Sequence, residues 1–456
     1  MSRRFWKLIG LDRAILFTIG SRGWQTAAGA ITMLLIARNL RPVEQGYYYT
    51  FSSLVAIQLI FELGFSFVVL QTAAHERTKL TALSNDEISG DPVALARISS
   101  LLKRSIRWYA FAAVALVAAL TATGACFFDS NQQGGTPIHW KGPWSCVLCA
   151  TFLTFQMDPV VSFLEGCGHV VNVAKLRLCQ AILGSSLSWL CMAFHHGLYS
   201  PGAMIGGQAL GSAYFLLQVN RRMLLRLLKV DTRIHSIRWK TEILPFQWRI
   251  AVSWASIYIT FQLLNPILFA YRGAIEAGKM GMSLSVCSAL AGIAVSWMST
   301  KAAPMGMLVA QNKIVELNQV FRKTVAQSSA FLLVASVVVL GGLWIVSRYA
   351  PKYAARVLPI PSFALLVLAI VLGHIVQCEA YYLRAHKREP FLWFWVLIAF
   401  ITIVAITTAA KFGGMFSVAL AYLLCAGVLR LSAGTYVFLS KRREWHVGLL
   451  VNAEVE

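Results

Sequence analysis

The chain has 456 residues, 57% of them hydrophobic and 13% charged, and carries a formal net charge of +22. With a mean hydropathy of +0.63, so much apolar surface cannot be hidden in one soluble core, which excludes a soluble enzyme and marks a polytopic membrane protein. The basic excess would suit nucleic acid, but it follows alternate loops, as insertion and anionic lipid require, so membrane lipid is the expected partner and nucleic acid is not.

Twelve apolar runs are long enough to cross a bilayer, at residues 15–37, 47–72, 106–127, 143–165, 177–195, 202–219, 247–270, 280–300, 323–346, 359–383, 391–410 and 415–439. They are too long and too uniformly apolar for the alternating strands of a membrane barrel, so the expected class is all-α. The first run is long, contains Arg22 and Gln25 and lacks a small-residue cleavage site, so it reads as a retained helix. Most of the 41 Lys and Arg fall on the N-terminal side of the alternating loops, which puts both termini in the cytoplasm. The long basic stretch after Asn220 divides the runs six and six. The expected domains are therefore an N-terminal lobe at 1–220, a basic cytoplasmic linker at 221–246, and a C-terminal lobe with a short tail at 247–456. Arg221 to Lys240 reads either as a basic amphipathic helix on the inner membrane surface or as a plain tether, and Asp91 to Arg107 reads the same way. Each lobe opens alike. Arg41 to Ser53 and Glu276 to Ser285 both combine a Gly-containing external turn, an acid and a helix start rich in small residues, a pattern that internal repeats of secondary transporters produce.

The charged residues within these runs are the candidate site. Arg22 lies inside the first run, where a cation costs roughly 2.5 to 3.5 kcal/mol and points to a path for a polar or charged substrate. At about 1.5 Å per residue it reaches a depth similar to Glu62. An Arg22–Glu62 ion pair would either open for an anionic cargo or stay closed as a packing element. Asp158 precedes Pro159, so it would either carry a proton or sodium ion or serve the backbone exposed at a kink. Glu379 is a second ion-coupling candidate, or a surface partner of Arg384, while His374 is either a proton relay or a satisfied core residue. Arg272 and Arg249 flank the seventh run, where cations commonly snorkel. With Gln262, Asn265 and Tyr271 nearby, Arg272 is a candidate anion contact, and Arg430, deep in the last run, is another. Gln25, Gln58, Gln180, Gln208 and Gln377 would face sugar hydroxyls or bond between helices.

Among nine cysteines only Cys146 and Cys149 are close in sequence, with no second pair and no His set, so neither a metal nor another cofactor is expected, and the cysteines read as small buried apolar residues. A Gly-rich phosphate loop is absent from the sequence. The longest external loop, about 128–142, offers only Asp129 as an acid, too little for a glycosyltransferase, so the chain reads as a non-enzyme.

Arg22, the stretch Leu35 to Tyr49, Phe61-Glu62-Leu63-Gly64, Gln71, Phe163 to Gly168 and Tyr382 to Phe391 together resemble the polysaccharide-exporter branch of the multidrug/oligosaccharidyl-lipid/polysaccharide (MOP) flippase superfamily. That resemblance implies a MATE-like fold of two six-helix lobes. It also implies alternating-access transfer of an undecaprenyl-diphosphate-linked oligosaccharide across the inner membrane for surface polysaccharide synthesis. Arginine suits such cargo, because its planar fork makes bidentate, charge-assisted bonds to phosphate oxygens. The substrate-binding set is then Arg22, Glu62, Arg272 and Arg430, and the ion-coupling set Asp158 and Glu379, with a proton or sodium counter-ion. A polysaccharide polymerase or assembly protein is the expected protein partner. The alternative is a cation-coupled multidrug exporter of the same fold.

Overall fold

The computed structural model describes residues 13 to 453 except 63, 84–87, 132–137, 233–235, 238, 240–247, 249–250, 253–254, 257–259 and 387–389. Eight described helices are long and apolar enough to cross a membrane, and the chain is a multi-pass membrane protein. The described residues divide into two compact units, Met1–Ala255 and Ser256–Glu456. The 246/247 domain boundary and Arg249 of the expected seventh span lie outside the described residues, as do Arg233, Arg238 and Lys240 of the stretch read as a surface helix or a tether.

In the first unit, α1 (Arg13–Asn39) is followed by α2 (Pro42–Val55), α3 (Gln58–Glu62) and α4 (Phe65–Arg77). The single span expected at 47–72 is thus broken twice. The second break lies at Gly64, whose φ of 64° is left-handed, a conformation that only glycine adopts without cost. At the start of α2, Glu44 accepts from the Arg41 backbone N–H at 2.8 Å and from its guanidinium at 2.9 and 3.1 Å, which satisfies a free end of the helix. After α4 comes a two-stranded antiparallel ribbon, β1 (Leu80–Leu83) and β2 (Ile88–Gly90), an addition to the all-helical expectation.

The segment read as either a separate surface helix or a tether, Asp91 to Arg107, is instead the start of α5 (Pro92–Ser130), where Asp91 caps the Val93 N–H at 3.0 Å. At 39 residues α5 is roughly 58 Å long, about twice the hydrocarbon thickness, so its first turns extend beyond the apolar layer. The buried Glu76 of α4 pairs with Arg97 of α5 at 2.7 Å, tying this extension to the end of α4.

Helices α6 (Lys141–Gly166), α7 (Val170–Ala193) and α8 (Ser200–Tyr214) complete the unit's apolar layer, α8 running into a π turn at Phe215–Val219. Helices α7 and α8 cross at Gly184 and Gly207, where a Cβ on Gly207 would lie 2.8 Å from the Gly184 Cα; small residues permit this approach, the usual device inside membranes. Helix α1 is tied to α7 by two indoles, Trp24 donating to Ser185 Oγ at 3.0 Å and Trp189 to Thr32 Oγ1 at 2.8 Å. Phe128, at the far end of α5, packs against Tyr47, Phe51, Trp140 and Trp144. Finally, α9 (Arg221–Lys229) buries Met223 and Leu227 and exposes Arg221, Arg222, Arg226 and Lys229.

The second unit runs α10 (Leu264–Arg272), α11 (Ala274–Ala310), α12 (Ile314–Tyr349), the short α13 (Pro351–Ala354), α14 (Ile360–Ala385), α15 (Leu392–Phe412), α16 (Met415–Tyr422), a π segment at Leu423–Leu429, and α17 (Arg430–Ala453). The expected turn around Glu276–Gly281 lies inside α11; the chain turns earlier, at Gly273 with φ 86°. The two openings share one local feature: after a short break each places an acid in the first turn of the next helix, Glu44 paired with Arg41 and Glu276 with Lys279, both at 2.9 Å. One core of this unit surrounds Tyr382, which meets Phe321 and Phe438 edge to face and donates to Asn318 Oδ1 at 3.0 Å. Val334, Val337 and Val338 of α12 are exposed, as a lipid-facing surface would be. Cys126, Cys149 and Cys179 are exposed too, contrary to expectation, because they sit on the outward faces of their helices.

Candidate functional site

A cavity of about 330 Å³ opens within the second unit between α11, α14, α15 and the α16–α17 region. Its apolar wall includes Val295, Ala369 and Ile398, and its polar groups are Thr260, Ser288, His374, Gln377, Tyr422 and Arg430. None of its lining residues is a carboxylate. The cation at its wall is nonetheless deeply buried, since Arg430 is only 7% exposed.

Several features hold Arg430 there. The π segment immediately before it adds a residue to the helical turn, and such bulges recur where a helix must re-aim a side chain. The guanidinium lies over the Trp395 ring of α15, 4.6 Å from the centroid, a distance at which the ring's quadrupole attracts a cation. Gly373 of α14 leaves it room, as a Cβ there would come within 3.4 Å of Nη1. Yet among the described residues the Nε of Arg430 has no hydrogen-bond partner, and no carboxylate pairs with the guanidinium. A buried charge without counter-ion or full hydrogen bonding is costly. An anion entering the cavity would remove that cost.

Beside it, His374 is 4% exposed, its Nε2 2.9 Å from Ser328 Oγ and 3.4 Å from Cys378 Sγ. Its Nδ1 is buried without a partner among the described residues, so one nitrogen of this ring is satisfied and the other is left for a ligand or water. Glu379, read as either an ion-coupling residue or a surface partner of Arg384, is buried, which removes the surface alternative. It accepts from Thr435 of α17 at 2.9 Å through Oε1, while Oε2 has no partner among the described residues. Five residues from His374 on α14, it is outside the cavity lining. Arg272 is half-buried and donates its Nε to the Ala410 carbonyl at the end of α15, 2.7 Å away; this contact satisfies a free helix-end carbonyl and leaves the other guanidinium donors available.

The first unit gathers a second polar group. Glu62 ends α3 and reaches across the Gly64 break to Ser66 of α4, with its backbone N–H, its hydroxyl and the Tyr109 hydroxyl of α5 all within reach. Ser66 Oγ and the Tyr109 hydroxyl are 2.9 Å apart. A carboxylate suits this place, because the first N–H groups of α4 lack intrahelical acceptors. Asp158 of α6 belongs to the same neighbourhood, interacting electrostatically with Glu62 and Arg177. Its helix continues through Pro159 and its side chain remains exposed.

Arg22 does not join this group. It is exposed on α1, and no ion pair links it to Glu62 among the described residues. The reason is angular: Trp24 faces α7, and two residues of helix turn Arg22 about 200° away from it. Equal depth in the membrane therefore did not bring the two side chains together.

The sequence reading missed Trp395, Tyr422 and Gly373 around Arg430, and Ser66 and Tyr109 around Glu62. Aromatic and small residues are ordinary in apolar runs, so the only sequence signal was the charged residue each set surrounds.

No protein-family model and no curated protein matches the chain. Solved structures do. An inward-facing multidrug-resistance MATE family transporter of the MOP superfamily is similar over 91% of this chain and 98% of its own, at a TM-score of 0.60 and 13% identity. A mutant form of a Vibrio cholerae MATE transporter is similar over 95% and 97%, at 0.54 and 12%. A MOP-superfamily transporter from Pyrococcus furiosus, described for a binding pocket of reverse polarity, is similar over 94% and 95%, again at 0.54 and 12%. The chain has the fold of MATE-family transporters of the MOP superfamily.

Proposed function

We propose that the protein is a flippase that carries an undecaprenyl-diphosphate-linked oligosaccharide across the cytoplasmic membrane by alternating access, in the assembly of a surface polysaccharide. The observation that carries this reading is Arg430: a buried cation without a carboxylate partner among the described residues, at the wall of a cavity that also presents a hydroxyl, an amide and an imidazole. A diphosphate would pair with the guanidinium, and sugar hydroxyls would exchange hydrogen bonds with Gln377, Ser288 and His374. The lipid tail stays among the helices, where it has no desolvation cost. Arg22 and Arg272 are further cargo contacts in this scheme, and a proton or sodium ion at Asp158 or Glu379 supplies the driving force. The cytoplasmic placement of both termini, and a polymerase or assembly protein as partner, complete the proposal.

A cation-coupled multidrug exporter of the same fold is the second reading. The Glu62–Asp158 neighbourhood favours it, because two nearby carboxylates suit a cationic ligand. Binding separates the two. With purified protein in detergent, Trp395 under Arg430 is a nearby fluorophore, and a diphosphate-bearing polyprenyl saccharide should quench the tryptophan signal in saturable fashion. Quenching should weaken at least tenfold in Arg430→Gln, the loss of one charge-assisted pair. Saturable binding of a quaternary ammonium dye, abolished by Asp158→Asn and untouched by Arg430→Gln, would favour the exporter.

A further inference from the structure

A second basic recess lies in the first unit, away from the apolar layer. Ser100, Lys103, Arg104 and Arg107 of α5 and Thr232 and Ser236 of the segment after α9 enclose about 230 Å³. The recess is built by specific bonds. Lys103 donates to the Val230 carbonyl at 2.7 Å, Arg104 donates to the Ile237 carbonyl at 2.8 Å, and the Ile237 N–H donates back to Ser100 Oγ at 3.1 Å. These bonds pin Val230 and Ile237 onto α5 and use one donor each of Lys103 and Arg104. An ammonium has three donors and a guanidinium five, so most remain for a ligand.

Three cations on adjoining turns of one helix repel one another. Lys103 and Arg107 are spaced i,i+4 and Arg104 and Arg107 i,i+3, the spacings at which like charges destabilise a helix. No carboxylate lines the recess; Asp231, next to Thr232, is not among the lining residues. Arg107, the exposed member, precedes Trp108 at the point where the apolar part of α5 begins, the level at which lipid phosphates and interfacial aromatic rings meet. Basic recesses between helices at this level are suited to phosphate head groups. The volume takes a phosphate together with several waters, each of about 30 Å³.

We propose that this recess binds a phosphate group, either the headgroup of an anionic phospholipid or a small soluble phosphate, with Lys103, Arg104 and Arg107 as its cations and Ser100, Thr232 and Ser236 as hydroxyl partners. The site is separate from Arg430 and independent of the cargo proposed above.

Calorimetric titration of the detergent-purified full chain with dihexanoyl phosphatidylglycerol, and separately with inorganic phosphate, tests the site. Saturable binding that weakens with added salt is expected, and it should fall about tenfold in Arg107→Gln, which removes an exposed side chain that makes no bond to the described residues and so leaves folding intact. Tight phosphatidylglycerol with weak phosphate assigns a lipid, and equal binding of the two assigns a soluble phosphate. Failure of both anions to bind, or unchanged affinity in Arg107→Gln and Lys103→Gln alike, overturns the proposal.

Discussion

Arg430 decides between two physical accounts of the second unit. If the guanidinium were a packing element held by Trp395, removing it would leave a gap and lose the cation–π attraction, so the protein would become less stable. If it waits for an anion, an apolar side chain of similar length should relieve the uncompensated charge. Replacing buried ions by apolar residues of similar volume is often neutral or stabilising by about 1 to 4 kcal/mol. Arg430→Met is therefore expected to keep or raise the thermal midpoint of the ligand-free protein while losing diphosphate binding. A clearly lowered midpoint would return Arg430 to a structural role. At this scale the sequence was informative about charge and silent about company. A lone Arg in an apolar run stands out, but Trp395, Tyr422 and Gly373 come from three other places in the chain and carry no signature of their own. The Arg22–Glu62 pairing failed for a related reason: rise per residue fixes depth, whereas meeting also requires the two side chains to share a direction around their helices.

At the scale of elements, the apolar runs were legible because hydrocarbon demands about twenty apolar residues whatever their order. Breaks within them were not, since Gly64 differs from any other glycine in a helix only by the φ it adopts. The extension of α5 beyond the apolar layer was equally hidden, because its polar first turns read as an independent surface segment. Glu76 and Arg97 hold that extension to α4. Removing one partner of a buried pair leaves a charge without compensation, at a cost of about 3 kcal/mol or somewhat more; Lys79, 3.8 Å from the same carboxylate, keeps the figure at the lower end. Arg97→Ala should accordingly lower the thermal midpoint and speed proteolysis around residues 78–90, whereas Arg97→Lys should recover most of the loss. Equal stability of Arg97→Ala and the parent protein would show that the ribbon end does not depend on this contact.

For the whole molecule, composition and span number give a polytopic helical membrane protein, and the fold itself is shared by transporters whose sequences agree with this one at only 12 or 13%. Fold alone therefore says little about cargo, and the choice among cargos rests on the sign of the charge in each unit: a cation without a counter-ion among the described residues of the second, neighbouring carboxylates in the first. In the proposed scheme an anionic cargo neutralising Arg430 and a counter-ion at Asp158 or Glu379 form a consistent pair of roles. The most direct test is translocation. In sealed vesicles containing the purified protein, a fluorescent undecaprenyl-diphosphate oligosaccharide should move between leaflets in proportion to protein, and this movement should be lost in Arg430→Gln at matched reconstitution. Movement that is equally fast with Arg430→Gln, or absent with wild-type protein while a cationic dye is exported, would contradict the assignment of an anionic lipid-linked cargo.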